Sequence, residues 1–174
     1  GRLVVPGLAD AYLVDLISDD RIRTVAAVHV DPDRERALWD ATNQVNGKRE
    51  AFNGILASVL EAGRPYRLHV TSRARLEAFT PDDGYRKQIQ ATGARWLAIV
   101  PMSTHGRVIG TITLGLDPGG RRFSKHDLVV AEELARRMAM AVENARLYDL
   151  ARRAIGARDE FISVAAHELK TPVT

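Results

Sequence analysis

Apolar residues recur along the chain in short runs that predict the strands of a sheet. Residues 8–17 and 23–30 are two such runs, and Ser18-Asp19-Asp20 between them has the composition of a turn. The two runs are therefore predicted to form a hairpin. Strict alternation in the second run would place Val25 and Ala27 on one face of the sheet, opposite a face that holds Thr24, Ala26 and Val28.

Two further runs carry the strongest strand patterns. Residues 95–102 are apolar on both faces, and residues 108–116 are rich in β-branched side chains. His105-Gly106 lies between them as a turn, so the pair should be antiparallel at the centre of the sheet. A shorter run at residues 66–71 is predicted to add another strand, and Gly110 and Gly115 predict close approach of a neighbouring element.

Between these predicted strands, apolar residues recur at the spacing of helices. Asp31-Pro32-Asp33 opens a first helix that should reach Asn46-Gly47, and a second helix is predicted from Lys48 to Ala62. Residues 72–83 are mostly polar and contain Pro81, so we expect a loop there. A short helix over residues 85–90 should follow it.

A long helix is predicted after Ser124, whose side chain can cap it together with Asp127. Its apolar face is formed at first by Ala131, Leu134, Met138, Ala141, Val142 and Ala145. By Ile155 this stripe has rotated towards the side that carries Ile162 and Leu169. We therefore expect the first part of the helix to pack on the sheet and the second part to pack on a second copy of the chain. The helix should be least stable near Gly156.

The order of these elements predicts an α+β domain with a mostly antiparallel central sheet, helices on its faces and a long C-terminal helix. The length of 174 residues, with 45% hydrophobic and 27% charged residues, suits one such domain plus an appendage.

Residues 161–174 hold the clearest candidate chemistry. On a helix, Ile162, Ala165, Ala166, Leu169 and Val173 form one stripe. His167 and Thr171 lie one turn apart on nearly the opposite side, with Glu168 beside them, and Pro172 should kink the helix just beyond. A solvent-facing neutral imidazole can attack a phosphoryl group, and a neighbouring carboxylate can take up the proton.

The sequence from Phe161 to Pro172 resembles the phospho-acceptor box of bacterial sensor histidine kinases. The resemblance implies that His167 is the phospho-acceptor, that Glu168 is its acid/base partner and that Thr171 assists dephosphorylation of the response regulator. It also implies homodimerisation through this helix, a receiver-domain partner, and ATP and Mg²⁺ bound by a part of the parent protein outside this chain. The alternative interpretation is a surface helix whose histidine has no such role.

The stretches 96–102, 106–114, 122–128 and 141–148 resemble the second half of a GAF domain, a small-molecule sensor fold. We therefore assign residues 1–150 to a GAF-like sensor domain, and residues 151–174 to a linker helix and the truncated start of a dimerisation and phosphotransfer domain. The resemblance implies an unidentified ligand near residues 66–92. The predicted lining residues are Tyr85, Gln88, Ile89 and Trp96, although each of them also fits an ordinary core or loop position.

The amino-acid composition limits the sites and partners that the chain can have. There is no cysteine, which excludes disulfides and thiolate metal sites, and no metal site is predicted. Lys and Arg number 25 against 22 Asp and Glu, without a basic patch, so nucleic acid is not an expected partner. No apolar run is long enough to span a membrane, and we expect a cytoplasmic location, with room for a membrane anchor upstream of Gly1.

Two alternatives to the kinase interpretation remain. One is a stand-alone ligand-binding or dimerisation module of the GAF type, without any phosphotransfer role. The other is a haem sensor, for which the candidate iron ligands are His29, His69, His105 and His126.

Overall fold

A computed structural model describes residues 5–18, 21–44, 55–70, 73–79, 83–119 and 121–170. In chain order these form helix α1 (Val5–Leu8), strands β1 (Ala11–Ser18) and β2 (Arg21–His29), helices α2 (Pro32–Gln44) and α3 (Ile55–Ala62), strand β3 (Tyr66–His69), helices α4 (Arg73–Phe79) and α5 (Asp83–Ala91), strands β4 (Trp96–Thr104) and β5 (Arg107–Leu116), and helix α6 (Lys125–Lys170). The predicted turn at Asp19-Asp20 and the predicted helix boundary at Gly47 and Lys48 lie outside the described residues.

The five strands form a single antiparallel sheet in the order β2-β1-β5-β4-β3. This arrangement confirms the predicted α+β class and both predicted strand pairs. The β4–β5 turn is tight because His105 and Gly106 have positive φ angles of 49° and 74°, as a two-residue turn of type I′ requires.

The two faces of the sheet carry different layers. Helix α6 and the segment at α1 cover one face, called here the α6 face, where Tyr12, Val14, Ala98, Ile112 and Leu114 belong to one apolar cluster. Helices α2 to α5 cover the other face, called here the α5 face. The residue between Tyr12 and Val14, Leu13, packs there, as alternation along a strand demands.

A bulge in the β1–β2 pair corrects the predicted alternation of β2. Val14 pairs with Ala26, but Asp15 pairs with Thr24, so Val25 is an extra residue on β2. Ala26 and Val28 pack on the α6 face, whereas Thr24 hydrogen-bonds to Asp15 and so faces the other way. The expectation that Thr24 shares a face with Ala26 and Val28 was wrong, because strict alternation holds only in a regular strand.

The loop predicted over residues 72–83 is also wrong in part, because Arg73–Phe79 is helix α4. Its residues are mostly good helix formers. Leu76 and Phe79, three positions apart, are 1% and 0% exposed and pack in the cluster beneath the helix. Two large apolar residues in seven were too few for the periodicity of the sequence to reveal this short helix.

Helix α6 begins with the predicted capping box. The Ser124 hydroxyl accepts from the Asp127 amide at 3.1 Å, and Asp127 Oδ2 accepts from the Ser124 amide at 2.8 Å. Its buried contacts with the sheet are Ala131, Ala135 and Ala139, with Leu128, Leu134 and Met138 partly buried around them. Small side chains at the centre of the contact let the helix lie close to the sheet.

The chain divides into two compact units, Gly1–Ala139 and Met140–Thr174, and α6 contributes residues to both. Within the described part of the chain, no helix combines the length and the apolar character needed to cross a membrane.

Gly110 is confirmed as a point of close approach. A Cβ atom there would meet the main-chain oxygen of Asp15 and the Met102 side chain. We expect Gly110→Ala to lower the free energy of unfolding by about 2–3 kcal/mol, because neither the paired backbone nor the buried methionine can move aside freely. Urea denaturation followed by circular dichroism measures this change.

The matched control is Gly119→Ala, since nothing lies within 4 Å of a Cβ atom at Gly119. It should change the free energy of unfolding by no more than about 1 kcal/mol. Equal effects of the two substitutions would contradict the close packing of β5 against β1.

Candidate functional site

Buried polar side chains interrupt the core on the α5 face. Asp15 on β1, Thr42 on α2 and Gln88 on α5 are 2%, 7% and 0% exposed, and Thr24 on β2 lies between them. Two separate apolar clusters flank this group on the same face: a small one around Leu13, Ala27 and Leu38, and a larger one around Ile89, Leu97 and Ile99. We call Asp15, Thr24, Thr42 and Gln88 the polar cluster.

One chain of hydrogen bonds links all four members of the polar cluster. The Thr24 hydroxyl donates to Asp15 Oδ1 at 2.6 Å. Gln88 Nε2 donates to Thr24 Oγ1 at 2.9 Å and to Thr42 Oγ1 at 2.8 Å. The Thr42 hydroxyl in turn donates to the main-chain oxygen of Leu38 at 2.7 Å. Strands β1 and β2 are thereby tied to helices α2 and α5 through their side chains.

Gln88 Oε1 is the exception in this network, because it is buried and accepts no hydrogen bond. A buried carbonyl oxygen without a donor costs free energy, and in native proteins such an atom calls for an explanation. The amide is oriented by its neighbours: both threonine hydroxyls already donate elsewhere, so they need a donor from Gln88. Gln88 Oε1 is therefore the atom of this amide that has no hydrogen-bond partner.

The structure brings together only some of the predicted lining residues. Gln88 and Ile89 are adjacent on α5, with Ile89 1% exposed in the larger apolar cluster. Tyr85 lies on the same helix, and its side chain lies outside what the structure describes. Trp96 packs on the α6 face, so the sheet separates it from Gln88 and Ile89.

Sequence inspection missed Asp15, Thr24 and Thr42. Asp15 did carry a recognisable pattern, since it is the one acidic residue in the otherwise apolar strand Ala11–Ser18. A buried carboxyl in such a strand requires polar partners. The threonines had no comparable pattern, because only the bulge and the packing of α2 bring them to Asp15.

A second buried group lies at the end of the same helical layer. The side chain of His29 is fully buried. Its Nε2 lies 3.0 Å from the main-chain oxygen of Thr92, just after α5, and its Nδ1 accepts from the Asp31 amide at 2.9 Å. These partners require the tautomer with the proton on Nε2. The ring therefore joins the end of β2 to the turn that follows α5.

Asp117, which directly follows β5, completes this group. Its Oδ2 accepts from Arg34 Nη1 at 3.0 Å, and its Oδ1 is buried, accepts no hydrogen bond and lies 3.8 Å from His29 Nε2. The proton on His29 Nε2 thus has a nearby second acceptor. His29 connects the helical layer of the α5 face to the segment that leads into α6.

The other candidate haem ligands lie in separate places. His69 stacks on Trp96, with ring centroids 3.9 Å apart and planes 7° from parallel. His105 occupies the β4–β5 turn, and His126 is exposed in the first turn of α6. The structure therefore brings no two of His29, His69, His105 and His126 together around a common centre.

The environment of the His69–Trp96 stack is cationic. The Arg122 guanidinium lies 5.2 Å from the centre of the Trp96 ring. Desolvation, followed by the positive charges of Arg95, Arg122 and Arg75, holds the pKa of His69 below its ordinary value of 6.5. The unfolded chain takes up this proton first as the pH falls. The folded state therefore loses stability between pH 6.5 and the lowered pKa.

We expect Arg122→Gln to raise the pKa of His69 towards its ordinary value, because it removes one of the positive charges that oppose protonation. An NMR titration of the His69 ring protons measures the midpoint. Arg121→Gln is the control: Arg121 bonds to Asp127 and is absent from the charges that shift His69. An unchanged midpoint in Arg122→Gln would contradict this electrostatic account.

Two further regions bear on the predicted chemistry. His167 and Glu168 lie on α6, but their side chains, and Thr171 and Pro172 entirely, lie outside the described residues. A surface cleft of about 200 Å³ contains none of the predicted site residues; it is lined by Gly63, Pro65, Val100, Pro101, Ser103, Glu132 and Arg136.

Comparison with known proteins gives the family. The model of the GAF domain family matches residues 9–142. No curated protein matches the chain. The GAF domain/HD domain protein from Geobacter sulfurreducens has a similar structure, with a TM-score of 0.64 and 15% identity over 84% of this chain and 86% of that one.

Two other similar structures come from sensor kinases. One is a domain assigned to a two-component sensor histidine kinase from Sinorhizobium meliloti 1021, with a TM-score of 0.58 and 21% identity over 87% of this chain and 90% of that one. The other is the GAF domain of a two-component sensor histidine kinase from Bacillus halodurans, with a TM-score of 0.56 and 16% identity over 81% and 86%. At these identities the structural likeness establishes the fold alone. Together with the family match and the five-stranded sheet between α6 and helices α2 to α5, it identifies this chain as a member of the GAF domain family.

Proposed function

We propose that this chain is the cytoplasmic sensory and dimerising module of a two-component sensor histidine kinase, in which a change within the GAF domain is relayed to the phospho-acceptor His167. The observation that carries the proposal is the continuity of α6. This helix runs from Lys125 to Lys170, contributes Ala131, Ala135 and Ala139 to the core of the sheet, and includes His167. A domain assigned to one sensor histidine kinase and the GAF domain of another are among the similar structures and support the same context.

The chemistry follows from the residues at the end of α6. The neutral His167 imidazole attacks the γ-phosphorus of ATP, the bond from that phosphorus to the bridging oxygen breaks, and ADP leaves, while Glu168 accepts the ring proton. ATP and Mg²⁺ are held by a domain of the parent protein outside this chain. A receiver domain then takes the phosphoryl group, and Thr171 assists the later attack of water on the phosphorylated receiver.

Dimerisation is proposed through the second half of α6. Apolar side chains are unusually exposed there for a helix of a single chain: Leu147, Tyr148, Leu150, Ile155 and Ile162 are between 53% and 71% exposed. A second copy of the helix would cover them in a parallel pair. The two acceptor histidines of the dimer would then respond together to a movement of the pair.

A physical route from the α5 face to α6 supports the relay. Gln88 lies on α5, and the turn after α5 is held by His29 through the Thr92 main-chain oxygen. His29 also approaches Asp117, which precedes α6 by eight positions. A shift of α5 on ligand binding would change which acceptor His29 contacts and so displace the segment that enters α6.

The first test is His167→Gln in the full-length kinase. Without the acceptor nitrogen we expect acid-labile phosphate incorporation from labelled ATP to fall to background. His126→Gln is the control, because His126 is exposed on the same helix and has no assigned role. Equal labelling of His167→Gln and the parent would end the kinase proposal and favour a stand-alone binding or dimerisation module.

The second test addresses the relay through the helix. Inserting one residue after Gly156 rotates everything downstream by about 100°, so autophosphorylation of the full-length kinase should change several-fold or lose its response to the input. The control is Gly156→Ala, since nothing lies within 4 Å of a Cβ atom at Gly156 and the substitution leaves the rotation unchanged. Parent-like activity in the insertion variant would refute transmission by helix rotation.

A further inference from the structure

A pair of stacked rings lies at the edge of the sheet formed by β3. His69 on β3 is directly opposite Trp96 on β4, and Trp96 packs on the α6 face, so both rings project to that side. Arg67, two positions before His69, projects the same way, and its Nη1 donates to the main-chain oxygen of Phe123 at 3.1 Å. The segment that leads into α6 is thereby fastened to β3 beside the two rings.

Three arginines lie next to this pair of rings. The Arg122 guanidinium lies 5.2 Å over the Trp96 ring. Arg95 immediately precedes Trp96, and Arg67 bonds to the backbone one position beyond Arg122. These arginines are far apart in the chain, which is why the sequence alone showed no basic patch. The group is called here the arginine patch and consists of Arg67, His69, Arg95, Trp96 and Arg122.

The positive charge of the arginine patch is not balanced by acidic side chains. Within the part of the chain that the structure describes, no carboxylate pairs with Arg67, Arg95 or Arg122. By contrast Arg121, the neighbour of Arg122, pairs with Asp127 at 3.3 Å. The three arginines of the patch are exposed and its two rings are partly exposed. An anion in solution can therefore reach the arginine patch directly.

The stacked position of Arg122 suits the binding of an oxyanion. A guanidinium that lies over an aromatic ring keeps its N–H donors along its own edge, in the fork that matches a phosphate or sulfate group. Arg67 gives one N–H to the Phe123 main-chain oxygen and has others left to donate. Donors from more than one arginine are thus available to the same anion.

His69 provides a natural reporter of this charge. Desolvation, followed by the positive charges of Arg95, Arg122 and Arg75, lowers the pKa of His69, and no acidic group is among the causes. An anion bound between the guanidinium groups would offset these charges and favour the protonated ring, so the pKa of His69 would rise. The midpoint of the His69 titration therefore measures occupancy of the arginine patch.

We propose that the arginine patch binds a small, doubly charged oxyanion, such as free phosphate or sulfate, through the guanidinium groups of Arg67, Arg95 and Arg122. A single negative charge would gain little over solvent at so exposed a place, which favours a divalent anion over a carboxylate. An anion shared by Arg67 and Arg122 would tie β3 more firmly to the segment that enters α6. The site is separated by the sheet from Gln88 and goes beyond the phosphotransfer function proposed above.

The probe is sodium sulfate, which replaces sodium chloride stepwise at constant ionic strength in a solution of the purified chain. The His69 ring protons are followed by NMR as the pH is varied. We expect the midpoint of the His69 titration to rise with sulfate and to level off, with half-saturation below about 10 mM sulfate.

Arg95→Gln and Arg122→Gln should each raise the half-saturating sulfate concentration at least about threefold, because each removes one charged donor group. Arg107→Gln is the matched control. It removes the same charge at an exposed position opposite Thr104, at the far end of the β4–β5 pair, and should bind sulfate like the parent. All three arginines are exposed, so the variants should fold.

A His69 midpoint that follows ionic strength alone, or that half-saturates above about 10 mM sulfate, would overturn the proposal. Parent-like sulfate binding in both Arg95→Gln and Arg122→Gln, or equal weakening in Arg107→Gln, would do the same. Vesicles of phosphatidylserine and phosphatidylcholine form a separate arm of the experiment. A response to these vesicles but not to sulfate would replace the small anion by a membrane surface and overturn the proposal. None of these results depends on the labelling of His167→Gln, so either proposal can fail alone.

Discussion

The hydrogen bond between Thr24 and Asp15 depends on the bulge in the β1–β2 pair, and most of the chemistry on the α5 face depends on that bond. If β2 were regular and Val25 paired with Asp15, Thr24 would face α6 together with Ala26 and Val28. Asp15 would then be buried without the hydroxyl that lies 2.6 Å away, and Gln88 would lose one of its two acceptors. The bulge in this strand pair is therefore what connects Asp15 to Thr24 and, through Gln88, to Thr42.

On the α6 face, packing depends on the close approach of helix α6 to the sheet. Ala131, Ala135 and Ala139 place α6 near the sheet. Gly115 on β5 allows similar proximity to the segment that precedes β4: a Cβ atom at Gly115 would lie 2.9 Å from that of Ala94. A close-packed interior is poorly compressible, so a displacement of one element shifts the elements packed against it. That property suits a domain whose output is proposed to be a movement of one helix.

Helix α5 links the polar cluster to the segment that leads into α6. Gln88 joins this helix to the polar cluster. The stretch Thr92–Ala94 follows the helix directly and is held by His29 and by the Thr92 hydroxyl. His29 Nε2 has one acceptor at 3.0 Å and a second, Asp117 Oδ1, at 3.8 Å. The turn after α5 and the segment before α6 therefore meet at one imidazole ring. The relay proposed above requires only that binding on the α5 face alter these contacts.

The sequence by itself determined the class of fold, both hairpins, the His105-Gly106 turn, the Ser124–Asp127 cap and the presence of Gln88 and Ile89 on a helix. Each of these follows from residues close together in the chain, through strand or helix periodicity and turn or cap chemistry. Helix α4 escaped this reasoning because its burial rests on just Leu76 and Phe79. Only the tertiary structure decided the face on which Thr24 lies, the meeting of Asp15, Thr42 and Gln88, and the separation of Trp96 from them. Those outcomes depend on the register between strands and on the placement of whole helices, which involve residues up to 73 positions apart that no local pattern connects.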